Sequence, residues 1–229
     1  MHLYIDKKTK IYFYIFLFLL LSTISNDKIL NITKIYQIEN IQINNLDLDQ
    51  KKIVEREIRN SKGRNIFLIK KDEINENLNS LNFIENFSIR KKFPSTLIVD
   101  VHKANFLAKI IIQNKIYYIG SNGKLIEDNS FQHKKDLPNF YGEYKKEKFF
   151  NLLFLLKKNG LDIKNIKSFY FFPSGRWDID IEKSVKIKLP LNILEKNINI
   201  LKNILKKNND KSNYVIDLRV ENQLIMSNG

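Results

Sequence analysis

Alternating apolar and polar positions predict a β-hairpin within Leu81–Ala108. Apolar residues alternate over Phe87–Ile89 and again over Leu97–Val101, on either side of the segment Phe93-Pro94-Ser95. A period of two is typical of a strand with one buried face. Proline suits the turn because it lacks the backbone N–H that a central strand needs.

The residues before the hairpin predict one strand and two helices. The strand covers Ile38–Ile43. A helix capped by Asp47 or Asp49 then runs to about Ser61, and a second helix begins with Asp72 as its cap. The order strand, helix, helix, strand, strand indicates a small α+β domain built on a three-stranded sheet, with both helices on one face.

From Phe106 onward the pattern predicts a second α+β domain with a mixed sheet. Two amphipathic helices are expected, over 146–159 and 191–207. The expected strands are 106–112, 116–119, 124–127, 168–172, 177–181, 185–189 and a last strand that begins at Tyr214 and extends to Met226.

An uncharged apolar run near the N-terminus predicts a targeting or anchoring segment. Lysines at 7, 8 and 10 precede Ile11–Ile24, which favours a cytoplasmic N-terminus and translocation of the remainder. The run has 14 residues, whereas a helix that spans a bilayer needs about 20. A cleavable signal peptide and an uncleaved signal anchor both remain open on this evidence.

Composition limits the function classes. The chain has 229 residues with 43% hydrophobic content, enough for a packed core in one or two domains. Its formal net charge is +14, but the lysines are scattered over nearly every segment, which favours a solvated basic surface over a nucleic-acid site. The absence of cysteine excludes disulfides, thiolate zinc sites and a cysteine nucleophile.

No set of catalytic or cofactor-binding residues emerges from the motifs. The chain lacks HExxH, GxSxG, GxGxxG and GxxxxGK[ST] patterns, and its histidines stand far apart, at His2, His102 and His133. Asp178, Asp180 and Glu182 would share one face of a strand, which suits either a divalent cation or a solvated acidic face. We therefore expect no enzyme and no cofactor, but a protein that binds through surfaces and sheet edges.

The predicted hairpin resembles the end of the POTRA domain in the FtsQ/DivIB family of bacterial cell-division proteins. The matching positions are Leu81, Ile84, Ile89, Arg90, Phe93, Pro94, Leu97, Val99, Val101 and Ala108. Two positions depart from the family pattern, since Lys103 replaces a common acidic residue and Phe106 or Leu107 a common proline. Further segments resemble those of the family and occur in the same order along the chain, at 118–125, 137–142, 185–189 and 214–219.

The resemblance implies a domain organisation and a location. It implies a cytoplasmic tail over 1–10, an uncleaved transmembrane signal anchor over 11–25, a POTRA domain over 36–104 and an FtsQ-type C-terminal domain over 105–226. It also implies a single-pass inner-membrane protein with its bulk in the periplasm, at the division septum. A POTRA-type polypeptide-binding protein of outer-membrane assembly or secretion is the alternative.

The resemblance further implies a scaffold role in the divisome, with no enzymatic activity, no small-molecule substrate and no nucleic acid. Its implied partners are FtsB/FtsL-type single-pass division proteins, which would add a strand at the C-terminal strand of this chain. Arg176 stands at a position similar to a family arginine that pairs with an acidic partner residue. The partner-binding residues implied are Arg176, Tyr214, Val215, Ile216, Asp217, Leu218, Arg219, Val220, Glu221, Asn222, Gln223 and Leu224.

Overall fold

The computed structural model describes residues 7–22, 34–127, 137–161, 163–208, 213–220 and 223–228. The chain divides into two compact units. The first contains the residues up to Ser80 together with Phe87–Val101, and the second contains Leu81–Asn86 together with the residues from His102 onward. Both units combine helices with a sheet, so the predicted α+β fold class is confirmed.

The N-terminal apolar run forms helix α1 (Lys7–Ser22), which has 16 residues. Its apolar side chains between Ile11 and Leu21 are 42–71% exposed. Among the described residues, no helix is both long enough and apolar enough to cross a membrane. The predicted anchor over 11–25 continues beyond the end of α1 into residues outside the described part of the chain, and most of the predicted tail over 1–10 lies outside it as well.

The first unit is built around a three-stranded sheet. Its elements are β1 (Asn40–Asn44), α2 (Leu48–Glu57), a 3-10 turn (Arg59–Ser61), α3 (Lys71–Asn79), β2 (Ile84–Lys92) and β3 (Thr96–Lys103). The strand order is β1-β3-β2, and β1 runs parallel to β3 with Ile43 opposite Val99. The predicted order of strand, helix, helix, strand and strand is confirmed.

A local sequence signal accounts for the start of α2. The Asp47 carboxylate accepts a hydrogen bond of 3.0 Å from Gln50 N–H, so Asp47 caps α2 as predicted. The prediction for Asp72 is wrong, because α3 begins at Lys71 and its N-cap is Lys70, two residues before the predicted cap. Asp72 lies instead in the first turn, where its negative charge complements the helix dipole.

The predicted hairpin is present and contributes much of the core of the first unit. The turn at Phe93-Pro94-Ser95 joins β2 to β3, and the Phe93–Pro94 peptide bond is cis. Leu97, Val99 and Val101 are fully buried, which confirms the predicted alternation along β3. This burial is worth roughly 1.5–3 kcal/mol for each side chain.

The described residues of the second unit form one nine-stranded mixed sheet and two α-helices. The elements are β4 (Phe106–Ile112), β5 (Lys115–Gly120), β6 (Leu125–Glu127), β7 (Asn139–Tyr141), α4 (Lys146–Lys158), β8 (Ile166–Phe171), β9 (Trp177–Ile181), β10 (Val185–Lys188), α5 (Glu195–Lys207), β11 (Tyr214–Asp217) and β12 (Ile225–Asn228). The strand order is β12-β11-β10-β9-β8-β7-β4-β5-β6.

Helices α4 and α5 cover one face of this sheet. Their inward side chains join alternate strand residues in a single core that includes Phe149, Leu152, Leu156, Ile198, Leu201, Phe140, Phe169, Ile179, Ile187 and Ile216. The opposite face of the sheet carries the other alternate residues of each strand, among them Tyr141, Tyr170, Asp178 and Asp217. We call this the open face.

Two predicted elements of the second unit differ from the structure. Helix α5 begins at Glu195 instead of Leu191, because the Asn197 side chain accepts a hydrogen bond of 2.9 Å from Leu194 N–H and fixes the helix start there. The last strand does not extend from Tyr214 to Met226. The chain forms β11, turns back and forms β12 as a separate strand.

Candidate partner-binding edge

Among the described residues, β12 is the edge strand at the C-terminal end of the large sheet, and no described strand pairs with its outer side. Strand β11 lies between two neighbours, since it runs parallel to β10 and antiparallel to β12. In the β11–β12 pair, Tyr214 lies opposite Asn228 and Asp217 lies opposite Ile225. An edge strand has one row of backbone N–H and C=O groups that lack ladder partners, and such a row can accept another strand.

The residues predicted for partner binding therefore lie in different environments. Tyr214, Ile216 and Leu218 are buried in the core of the second unit. Val215 and Asp217 are half-buried on the open face, and Arg176 is half-buried in the turn before β9. The exposed members are Arg219, Val220, Gln223 and Leu224, while Glu221 and Asn222 lie outside the described residues.

A local hydrogen-bond pattern ends β11. The Asp217 carboxylate accepts a bond of 3.0 Å from Arg219 N–H, two residues further on. It also accepts bonds of 2.8 and 2.9 Å from Arg219 Nε. A carboxylate that bonds the backbone two residues later bends the chain as a turn does. Leu218 N–H still reaches Lys188 O at 2.9 Å, so the bend follows directly after the last bond to β10.

Alternating charges cross the open face toward this edge. The residues opposite one another in successive strands from β8 to β12 are Tyr170, Asp178, Lys188, Asp217 and Ile225. Cross-strand neighbours of opposite charge stabilise a sheet by about 0.2–1 kcal/mol each. The row ends in an exposed apolar residue on β12, next to a network of carboxylates and cations.

Two arginines flank this row. Arg219 binds Asp217 through both Nε and a terminal nitrogen, a two-point contact that fixes the guanidinium geometry. Arg176 Nε lies 3.3 Å from Asp178 Oδ1 as an ion pair, without hydrogen-bond geometry, and its guanidinium carbon lies 4.3 Å from the centre of the Phe172 ring. Arg219 follows the end of β11, next to β12, whereas Arg176 lies before β9, with β10 and β11 between it and β12.

The two aspartates of the row have opposite pKa shifts. Burial raises the pKa of Asp178, and the nearby Arg176, Lys188, Arg219 and Lys186 offset only part of that effect. Hydrogen bonds from Arg219 lower the pKa of Asp217 and raise the pKa of Arg219. The ionised form of Asp217 is therefore stabilised by its partner, whereas ionisation of Asp178 costs stability.

Two of the acidic residues considered for a metal, Asp178 and Asp180, form contacts with other side chains. Asp180 Oδ2 accepts a bond of 3.0 Å from the Tyr170 hydroxyl, and Lys186 Nζ lies 3.9 Å from Asp180 Oδ1. Burial, followed by this hydrogen bond to Asp180, raises the pKa of Tyr170. Glu182 lies beyond the end of β9 in a 3-10 turn. In the described part of the chain, no group of three His, Cys, Asp or Glu residues could hold a metal ion.

Strand β12 exposes side chains on both of its faces. Ile225, opposite Asp217, is 48% exposed on the open face, and Met226, opposite the buried Ile216, is 42% exposed on the helix-covered face. Val220 and Leu224, before the strand, are also exposed. The edge therefore offers main-chain hydrogen-bonding groups together with apolar contacts above and below the sheet.

Comparison with known proteins assigns the chain to a family. Residues 36–103 match the family model described as POTRA domain, FtsQ-type. Residues 110–219 match the model described as cell division protein FtsQ/DivIB, C-terminal. The chain belongs to the FtsQ/DivIB family of cell division proteins. The resemblance of the hairpin at Leu81–Ala108 to this family is thereby confirmed.

Individual FtsQ proteins are similar over most of the chain. The cell division protein FtsQ of Rickettsia bellii is 26% identical over 192 residues, which cover 82% of this chain and 71% of the relative. That of Rickettsia typhi is 26% identical over 205 residues, covering 84% and 76%. The solved major extracytoplasmic domain of DivIB from Geobacillus stearothermophilus has a TM-score of 0.35 and 9% identity, covering 48% of this chain and 98% of that domain.

The FtsQ/DivIB match ends at Arg219, before the residues that form the free edge. Ser227 and Asn228 of β12 were not among the predicted site residues. The sequence does hold a signal for a second strand, because the polar run Glu221-Asn222-Gln223 separates Tyr214–Val220 from the apolar Leu224–Met226. A polar break between two short apolar runs is typical of a hairpin.

Proposed function

We propose that this chain is a membrane-anchored scaffold of the bacterial divisome that captures a strand from a partner at β12. Membership of the FtsQ/DivIB family supports a role in cell division. The free edge of β12 supports the binding mode, since a partner strand would continue the nine-stranded sheet. We propose FtsB/FtsL-type single-pass division proteins as the partners.

The exposed groups around β12 support a partner with defined chemistry. A strand added beside β12 would bring its side chains next to Ile225 and Met226, which lie on opposite faces of the sheet. Apolar residues of the partner suit both contacts. Arg176 and Arg219 favour at least one acidic residue on the side of the open face, because guanidinium groups bind carboxylates through two parallel hydrogen bonds.

Anchoring through the N-terminal apolar segment belongs to the same proposal. The side chains of α1 from Ile11 to Leu21 are exposed apolar groups, which lipid would bury at a gain of about 25 cal/mol per Å². Lys8 and Lys10 at the start of α1 favour a cytoplasmic N-terminus. Snorkelling lysines and local thinning of the bilayer accommodate a short apolar stretch. The folded units would then lie in the periplasm, at the division septum.

Depletion of the protein in its own bacterium tests the division role. We expect filamentous cells without septa, and a fluorescent fusion of the full chain should concentrate at midcell. Normal division after depletion, with the fusion spread evenly around the envelope, would contradict the proposal. The alternative role in outer-membrane assembly or secretion predicts envelope defects in cells that still divide, and the FtsQ type of the matched POTRA domain gives it no support.

The partner-binding part is tested separately by replacing residues 225–228 with four glycines in the full chain. This change removes the apolar contacts and weakens the edge, since glycine favours disorder over a strand. We expect the variant to reach the membrane and to lose capture of the FtsB/FtsL-type pair. Capture at wild-type strength would overturn the assignment of the edge and leave the division role standing.

A further inference from the structure

Among the amphipathic helices, positive charge is concentrated in those of the second unit, while the apolar helix α1 carries three lysines at its start. Helices α4 and α5 contain eight lysines and two glutamates, a net charge of +6. Helices α2 and α3 of the first unit contain four basic and six acidic residues, a net charge of −2. The basic excess of α4 and α5 is therefore a property of these two helices, whereas the lysines of the whole sequence are dispersed.

Most lysines of α4 and α5 lie on the outer face of the helix layer, whereas the Lys146 ammonium donates a hydrogen bond of 3.0 Å to Asn122 O. The inner face of each helix is used by the core, through Phe149 and Leu156 of α4 and Ile198 and Leu201 of α5. The exposed lysines are Lys146, Lys148, Lys157, Lys158, Lys196, Lys206 and Lys207. Lys158 forms an ion pair with Glu195, so the two helices are joined at this point.

Large apolar side chains are exposed among these lysines. Phe154 of α4 is 65% exposed, and Leu191 and Leu194, just before α5, are 61% and 51% exposed. They line one open groove of about 590 Å³ together with Lys148 and Asn151. Apolar side chains surrounded by lysines are characteristic of protein surfaces that bind membranes peripherally.

We propose that the outer face of α4 and α5 docks against an anionic phospholipid surface. Phe154, Leu191 and Leu194 would insert among the headgroups, while the lysines are attracted to the negative surface potential. This proposal rests on the proposed anchoring only in that the anchor would hold the second unit near a membrane. It is independent of the capture of a partner strand at β12.

Two features favour lipid over an acidic protein segment. The lysines extend along both 13-residue helices, each about 20 Å long, so they match a broad charged surface better than one bound peptide. All cations of the two helices are lysines, with no arginine among them. Lysine acts as a hydrated point charge, whereas two-point recognition of a protein carboxylate favours arginine.

The absence of cysteine allows a site-specific test in the full chain. Phe154→Cys and, as a matched control, Ile111→Cys are each labelled with an environment-sensitive dye. Ile111 of β4 is 63% exposed and follows the core residue Ile110, so its side chain lies on the face opposite the helices. Both proteins are reconstituted into vesicles of phosphatidylcholine, with or without phosphatidylglycerol, that carry a spin-labelled lipid as quencher.

In vesicles with phosphatidylglycerol, we expect the dye at 154 to be quenched several-fold more than the dye at 111. We expect no such difference in phosphatidylcholine alone. High salt should abolish the extra quenching at 154, because it screens the attraction between the lysines and the anionic lipid. Equal quenching at the two positions, or equal quenching in phosphatidylcholine alone, would overturn the proposal. So would quenching or a spectral shift at 154 that requires an acidic partner protein. Leu194→Cys provides a second probe of the same surface if Phe154→Cys fails to fold.

Removal of charge gives an independent arm of the test. In the Phe154→Cys background, Lys148, Lys157, Lys206 and Lys207 are replaced by Gln, and the docking equilibrium should fall about fivefold for each lysine removed. The matched control replaces Lys52, Lys62, Lys70 and Lys71 of the first unit by Gln, which changes the net charge equally. An equal loss of docking in the control would show a general charge effect and overturn the assignment of this surface.

Discussion

Asp217 of β11 and Ile225 of β12 lie opposite each other in the last hairpin of the chain. In the described part of the chain, this pairing makes β11 an interior strand of the large sheet and leaves β12 as one of its two edge strands, the other being β6. A partner strand would therefore form its backbone bonds with Ile225–Asn228. The regular backbone hydrogen bonding of a strand ladder, more than any one side chain, would then determine binding at this edge.

Proline substitutions in β12 are expected to weaken partner capture. Neighbouring residues of a strand direct their N–H groups to opposite sides, so Met226→Pro and Ser227→Pro remove one donor facing β11 and one facing the partner. A lost hydrogen bond is worth about 0.5–1.5 kcal/mol, so the proline that removes the partner-facing donor should raise the dissociation constant about two- to tenfold. Met226→Ala and Ser227→Ala retain the N–H groups and serve as controls in a quantitative pulldown. Proline variants that bind as the alanine variants do would argue against strand addition here.

Arg219→Gln is expected to alter the titration of Asp217. The hydrogen bonds from Arg219 lower the pKa of Asp217, so the pKa of this carboxylate should return toward about 4 in the variant. The bonds from Arg219 stabilise ionised Asp217 in the folded state, and this contribution is lost when Asp217 is protonated. The wild type should therefore lose more stability than the variant as the pH falls below about 4. Carboxyl NMR titration and unfolding at several pH values measure both effects. An unchanged pKa would show that Arg219 does not bind Asp217 in solution.

Asp178→Asn is expected to become the more stable form as the pH rises. Burial raises the pKa of Asp178, so its contribution to stability is present at low pH and is lost as the pH rises through the folded-state pKa. The loss of the ion pair with Arg176 limits the gain. Urea unfolding between pH 3 and 7 checks the sign, with the exposed Asp72→Asn as control. A variant whose free energy of unfolding falls further below that of the wild type as the pH rises would contradict this account.

Gln50→Met is expected to stabilise the first unit by about 1 kcal/mol. Gln50 is fully buried, and neither of its side-chain amide atoms has a hydrogen-bond partner among the described residues. Replacing an unsatisfied buried amide by an apolar side chain of similar shape removes a desolvation cost of about 1–3 kcal/mol, less any loss in packing. Thermal unfolding measures the change, and the exposed Gln42→Met should remain within about 0.5 kcal/mol of the wild type. A clear destabilisation by Gln50→Met would mean that the buried amide is satisfied in solution.

Features set by neighbouring residues were predictable from the sequence. The hairpin turn at Phe93-Pro94-Ser95 and the Asp47 cap depend on residues a few positions apart, and both are present. The N-cap of α3 was misplaced by two residues, because Asp72 suits the first turn as well as the cap. Local chemistry thus determines element type more firmly than element ends.

Features set by strand pairing were not predictable in the same way. The alternation of Tyr214, Ile216 and Leu218 continues to Val220, so periodicity alone favoured one long strand. The bend after Asp217 depends on a single side chain that bonds Arg219 N–H. Which strand forms the free edge depends on contacts between residues distant in sequence. Alternation along β9 places Asp178 on the polar face of the strand, but it does not predict that this side chain is buried. Its burial likewise depends on the surrounding fold.

The most direct test of the proposed binding mode is amide hydrogen exchange of the full chain in nanodiscs, with and without the FtsB/FtsL-type pair. Strand β11 is already paired on both sides, whereas β12 is paired on one. We predict that the partner-facing amides of Ile225–Asn228 exchange at least about tenfold more slowly when the partner is bound, while the amides of Tyr214–Asp217 change little. Partner binding with unchanged exchange at Ile225–Asn228 and new protection elsewhere would contradict strand capture at β12.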